Sequence, residues 1–213
     1  MNIAVLALQG AFAEHRQMLR RLGVESHEVR QLSDWNEPKD GLIIPGGEST
    51  TITRLLHREG LFEPIRQSII NGLPVFGTCA GLIVLARHVE NEDDDTVGEN
   101  AASGNDELTQ KHNVSAGEYP RLATMNITVR RNAYGRQLGS FHTVADIPEI
   151  GRQVPLSFIR APFITQVHEG ARVLATVNGN IVAAREGCQL VTAFHPELTD
   201  DLRVHRYFLN LIA

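Results

Sequence analysis

Two cysteines, one tryptophan and no long apolar run set the first limits on this 213-residue chain. Cys79 and Cys188 cannot build a disulfide framework. A reducing compartment, the cytoplasm, is therefore expected, where a single cysteine can serve as a nucleophile. The longest apolar runs fall well short of the ~20 residues a membrane helix needs. The opening stretch, residues 1–8, is apolar but carries no Lys or Arg and stops at Gln9-Gly10. It reads as a first strand and not as a signal peptide. A basic excess is also missing. Lys and Arg number 20 against 25 Asp and Glu, a formal charge of −5, which argues against a nucleic-acid binder. Neither C-x-x-C nor H-x-x-x-H occurs, so no metal is expected, and no cofactor.

What is present belongs to a folded domain. Hydrophobic residues make up 42% and charged residues 21%, enough apolar surface to offset ordering entropy. One domain over residues 1–213 is expected, with no linker and no internal repeat. The first ninety residues alternate strand and helix signals. Residues 3–8, 24–29, 41–45 and 74–77 read as strands. Residues 12–22, the stretch to about Glu59, 61–71, and an apolar run after Gly81 to about His88 read as helices. Such βαβ repetition predicts an α/β fold, an open and mostly parallel sheet flanked by helices. Beyond 123 the signal is mainly β, at 123–129, 138–145, 154–160, 164–168, 172–177, 181–185 and 189–195. Asn178-Gly179 marks a hairpin turn. Residues 199–211 read as a closing helix.

Residues 90–121 differ. Glu90, Glu92, Asp93, Asp94, Asp95, Glu99, Asp106 and Glu107 crowd a stretch with no Lys or Arg between Arg87 and Lys111. Its composition predicts a mobile acidic surface insertion; an acidic docking site is the sharper alternative.

Gly77-Thr78-Cys79-Ala80-Gly81 lies between a strand and a helix. It has the G-x-nucleophile-x-G pattern of a nucleophile elbow, with Cys in place of Ser. Small flanking residues allow the sharp turn. The turn lifts the side chain above the C-terminal sheet edge, where open α/β folds bind ligands. The Ala80 N–H is then placed to meet an oxyanion. A nucleophilic Cys needs a base and an orienter. Phe194-His195-Pro196-Glu197 supplies both, since residues i and i+2 of an extended chain share a side. The other eight His, among them His15 and His205, lack a strand-end setting with an i+2 carboxylate and rank lower. Pro45-Gly46-Gly47-Glu48-Ser49-Thr50 follows a strand and opens a helix. Without a Walker lysine it fits a second oxyanion donor and a substrate edge better than a phosphate loop. Cys188 follows Gly187 at a turn and reads as structural.

These segments together resemble the class I, triad-type glutamine amidotransferases. More narrowly, they resemble the glutaminase subunits of pyridoxal 5′-phosphate synthases. The matching segments are Leu8-Gln9-Gly10-Ala11 with Glu14-His15, Pro45 through Thr51, Phe76 through Leu82, Arg131 through Gln137, Phe158-Ile159-Arg160-Ala161-Pro162, and Phe194 through Thr199. The resemblance implies a flavodoxin-like fold with additional strands in the C-terminal half. It implies that Cys79 attacks the side-chain amide of L-glutamine, that His195 handles the protons, and that Glu197 holds His195. Gly47 and Ala80 would form the oxyanion hole. Gly47, Glu48, Ser49, Arg131, Ile159 and Arg160 would bind glutamine. Ammonia would pass to a barrel-shaped synthase subunit that docks near Gln9-Gly10 and the helix after it, completing the oxyanion hole. The long acidic stretch departs from the short connection usual there.

Three other readings share some of these features. One is the glutaminase subunit of another amidotransferase, such as that of histidine biosynthesis. A second is a non-catalytic regulatory module on the same fold, against which the intact Cys79, His195 and Glu197 argue. A third is a thiol esterase on an α/β-hydrolase fold. Its expected order is nucleophile, acid, His, whereas Cys, His, Glu stands here.

Overall fold

Short aliphatic runs form the parallel half of the sheet. β1 (Asn2–Leu6) pairs in parallel with β2 (Glu25–Val29) on one side and β3 (Gly41–Ile44) on the other. β3 then pairs in parallel with β4 (Val75–Thr78), and β4 with β12 (Gln189–Thr192). Every residue of β3 and β4 is buried, which is why these strands read as continuous apolar runs and not as alternations. We describe residues 1–90, 119–131 and 140–212 of a computed structural model. Most of the acidic stretch, and residues 132–137 of the Arg131–Gln137 segment, lie outside the described residues.

Helices cover the parallel half. They are α1 (Phe12–Arg21), α2 (Leu32–Trp35), α3 (Ser49–Arg58), α4 (Phe62–Ile70) and α5 (Ala80–Leu85), with α6 (Arg203–Leu209) near the end of the chain. α1 packs on β1 and β2, burying His15, Met18 and Leu19. α3 packs on α5 and α4. The wholly buried Phe76, Phe194 and Phe208 lie in the core between these layers and the sheet.

The second half is mostly antiparallel. β11 (Asn180–Glu186) pairs with β12, with β9 (Phe163–Val167) and with β10 (Ala171–Val177). Beyond β9 come β6 (Met125–Arg130) and, at the far edge, β5 (Ala86–Glu90). The complete order is β2-β1-β3-β4-β12-β11-β9-β6-β5, with β10 beside β11. β7 (Ser140–Ile147) and β8 (Gly151–Ile159) form a separate antiparallel pair. Asn178 and Gly179 both have positive φ and close the β10–β11 hairpin, the backbone that a two-residue Asn-Gly turn requires.

Three sequence expectations change. The helix after the nucleophile stops at Leu85 and not near His88, and residues 86–90 are instead strand β5, parallel to β6. That pairing is made by a partner distant in sequence, which overrides local propensity. The last strand ends at Thr192, not at 195, and a 3-10 turn, Pro196–Leu198, follows. The closing helix starts at Arg203, not at 199. Asp201 accepts the Arg203 backbone N–H at 2.9 Å and so binds one of the free donors at the helix start. The short α2, with its reciprocal Gln31/Asp34 capping box, went unpredicted.

Candidate active site

The C-terminal ends of β1, β3, β4 and β12 meet at one edge of the sheet. β4 runs into Cys79, whose backbone has φ 49° and ψ −99°. A non-glycine residue in that region is strained, and such strain gathers at functional turns. The turn holds because its neighbours are small. A Cβ on Gly81 would lie 2.2 Å from the Ile44 carbonyl oxygen, and one on Gly77 would lie 2.8 Å from the Gly81 backbone. The Cys79 N–H donates to the Thr192 carbonyl at 2.8 Å, tying the elbow to the end of β12. The Cys79 thiol faces the Ile159 carbonyl at 3.9 Å.

The same end of β12 leads to His195. Its backbone N–H donates to the Ser157 carbonyl of β8 at 2.8 Å. Its Nδ1–H donates to Glu197 Oε1 at 2.7 Å, and the Glu197 side chain is fully buried. The two residues meet because the 3-10 turn folds Glu197 back under the ring; strand alternation plays no part. A Cβ on Gly46 would fall 2.3 Å from His195 Cε1 and 3.4 Å from Cys79 Cβ. Gly46 therefore lies against both side chains, where only a glycine fits.

Electrostatics reinforce the pairing. Burial alone would depress the His195 pKa. Hydrogen bonds and charge from Cys79 and Glu197 outweigh it and push the pKa from 6.5 up to about 10. Burial would raise the Glu197 carboxyl, but His15 and the His195 hydrogen bond hold it below the usual carboxylate range. The arrangement suits a protonated imidazole held between a cysteine nucleophile and a carboxylate.

The Gly46–Ser49 turn lies across from the elbow. The Gly46 carbonyl accepts the Ala11 N–H at 3.2 Å. In a trans peptide the Gly47 N–H then points away from Ala11. Glu48 is drawn into α3. Its carboxylate accepts the N–H groups of Thr50 and Thr51 at 2.8 and 2.7 Å, and its own N–H donates to Gln9 Oε1 at 2.8 Å. Ser49 is buried at the first turn of α3. Arg131 lines a small pocket with Thr50, Thr53, Tyr119 and Arg121, so it stands beside that first turn. Its Nε is buried without a hydrogen-bond partner. Ile159 and Arg160 are exposed at the end of β8, with Arg160 at φ 44°. Ile159 thus approaches Cys79 by its carbonyl. No described contact joins Arg160 to Cys79.

One contributor escaped sequence reasoning. His15, ranked low for want of a strand-end setting with an i+2 carboxylate, is wholly buried with Nε2 3.5 Å from Glu197 Oε2 and 3.2 Å from Thr78 Oγ1. The one available signal was its place in the Glu14-His15 segment of the family resemblance. Among the described residues no cluster of His, Cys, Asp or Glu is arranged to hold a metal ion, and no helix is long and apolar enough to cross a membrane.

Comparison with known proteins gives the family. Residues 5–100 and 107–213 match the SNO glutamine amidotransferase family. The pyridoxal 5′-phosphate synthase subunit PdxT of Streptococcus pneumoniae strain JJA is 49% identical over 214 residues, covering 99% of this chain and 97% of that protein. The serotype 4 protein of the same name matches equally. A crystal structure of a glutamine amidotransferase superposes with a TM-score of 0.81 at 40% identity, covering 99% of this chain and 98% of the other. A glutamine amidotransferase from Thermotoga maritima, at 12% identity and TM-score 0.56 over 99% of this chain and 81% of its own, shares the fold alone. The chain belongs to the SNO glutamine amidotransferase family.

Proposed function

We propose that this chain is the glutaminase of a pyridoxal 5′-phosphate synthase. It hydrolyses L-glutamine to L-glutamate and ammonia and delivers the ammonia to a barrel-shaped synthase subunit. The observation that carries the chemistry is the strained Cys79 elbow, packed through Gly46 against a His195 that Glu197 holds at 2.7 Å. The partner rests on the full-length likeness to proteins named as synthase subunits.

The Cys79 sulfur attacks the glutamine Cδ. The oxyanion that forms meets the N–H groups of Gly47 and Ala80. The C–N bond breaks as His195 gives its proton to the leaving nitrogen, releasing ammonia and leaving a glutamyl thioester. His195 then takes a proton from water, the hydroxyl adds to the thioester carbon, and the C–S bond breaks to free glutamate and the thiolate. Glu197 keeps the ring of His195 in one orientation throughout. Arg131, with its unpartnered Nε, suits the α-carboxylate of glutamine. Gly47, Glu48, Ser49, Ile159 and Arg160 complete the pocket. The synthase docks near Gln9-Gly10 and α1.

Replacing the nucleophile tests this directly. Cys79→Ala is expected to abolish ammonia release while the protein still binds the synthase, and to abolish labelling by a glutamine-like electrophile. Turnover at the wild-type rate in that variant would exclude the mechanism.

A further inference from the structure

Behind Glu197 lies a second layer of buried imidazoles that the mechanism does not yet use. Glu197 spends Oε1 on His195, while Oε2 has no hydrogen-bond partner of ideal geometry. Nε2 of His15, on α1, stands 3.5 Å from Oε2. The other ring nitrogen of His15 meets His205 Nε2, on α6, at 2.9 Å. Both rings are wholly buried and pack edge-on against Phe76.

The tautomers follow from elementary reasoning. Were His15 protonated on Nδ1, its Nε2 lone pair would face the Glu197 carboxylate. His205 would then carry its proton on Nδ1, a buried atom without a partner. An orphaned N–H is costly, and lone pair against carboxylate is repulsive. In the reverse arrangement His205 Nε2–H donates to His15 Nδ1, and His15 Nε2–H faces Glu197 Oε2 and Thr78 Oγ1. Only a lone pair on His205 Nδ1 is left over. The second arrangement satisfies more groups.

We propose that His15 is a positioning residue for the triad. Its Nε2–H, with the tautomer set by His205, restrains the free oxygen of Glu197 and the hydroxyl of Thr78, the residue that precedes the nucleophile. One ring thus touches both arms of the site, the acid that orients His195 and the strand end that carries Cys79. Burial lowers the pKa values of both His15 and His205, against the pull of Glu197 on His15, which favours a directed N–H over a second cation. The charged and titratable groups acting on His15 are Glu197 and His195 after β12, Glu14 on its own helix, and His205 on α6. This inference rests on the proposed glutaminase chemistry.

Two measurements test it, with the synthase subunit present for the kinetics. Long-range 1H–15N correlation on the labelled wild-type protein is expected to show His15 as the neutral Nε2–H tautomer across neutral pH. An Nδ1–H tautomer would overturn the proposal without any variant. His15→Leu is expected to lower kcat by roughly ten- to hundredfold, the loss typical when a partner that orients a functional ligand is removed. KM should change little, and the pH profile of Cys79 alkylation by iodoacetamide should shift. His15→Gln, which keeps an N–H near the Nε2 position, is expected to recover most of the rate and the profile. A folded His15→Leu with wild-type kcat and profile, or a His15→Gln as impaired as His15→Leu, would overturn it. Cys79→Ala in the same assay separates the two claims: activity there defeats the glutaminase reading, whereas its loss beside an unaffected His15→Leu defeats the positioning role alone.

Discussion

His195 holds its proton far more tightly than a free imidazole, with a pKa of about 10 against 6.5. Because the folded value is the higher one, the stabilisation from its charged form is complete below 6.5 and is lost as pH rises toward 10. Glu197 behaves in the opposite sense. Its folded pKa lies below 4.5, so its contribution is present above 4.5 and is lost as the pH falls below it. The stability difference between wild type and Glu197→Gln, from urea unfolding, should therefore be largest between 4.5 and 6.5 and shrink toward 10. A difference flat across that range would contradict the ion pair. On the proposed mechanism Glu197→Gln should also lose less activity than Cys79→Ala, since it removes an orienter and spares the nucleophile. Gly46→Ala carries a steric test. Its Cβ would lie 2.3 Å from His195 Cε1, so the ring must swing away. A misplacement near 1 Å costs about a hundredfold in kcat, and an unchanged kcat would show that the ring has room to yield.

Elements show what the sequence could reveal and what it could not. β1, β3 and β4 were legible because a fully buried parallel strand leaves an unbroken apolar run. The elbow was legible because glycines on both sides of Cys79 are demanded by backbone contacts with Ile44 and between Gly77 and Gly81. β5 was not legible. Its residues continue the apolar helix before it, and only pairing with β6 makes them a strand. The 3-10 turn at Pro196–Leu198 was also missed, although the His195–Glu197 pair it creates was anticipated. His15 and His205 lie 190 residues apart, and no local pattern joins them. The cap of α3 yields its own prediction. Glu48→Ala removes the acceptor for Thr50 and Thr51, at a cost of about 1 kcal/mol. For a chain of this size that lowers the melting midpoint by ~2–4 °C. An unchanged midpoint in thermal unfolding would mean that the cap contributes nothing net.

At the scale of the whole molecule, a parallel half with open strand ends carries the candidate site, and β8 of the second half meets it through the Ser157 and Ile159 carbonyls. β12 belongs to both halves, pairing in parallel with β4 and antiparallel with β11. Its end fixes Cys79 through the Thr192 carbonyl and leads directly to His195. The two arms of the proposed chemistry are thus set by one strand, and the loop at Gly46 packs between them. Ammonia is useful only where it is consumed, so a glutaminase of this kind is expected to act with its synthase. The most direct measurement is ammonia release from L-glutamine by the purified chain, alone and then with a pyridoxal 5′-phosphate synthase barrel subunit. The expected result is a rise on adding the synthase, with pyridoxal 5′-phosphate formed from glutamine, a pentose phosphate and a triose phosphate. No rise, with Cys79 still reactive toward a glutamine analogue, would contradict the assigned partner and leave a glutaminase serving a different acceptor.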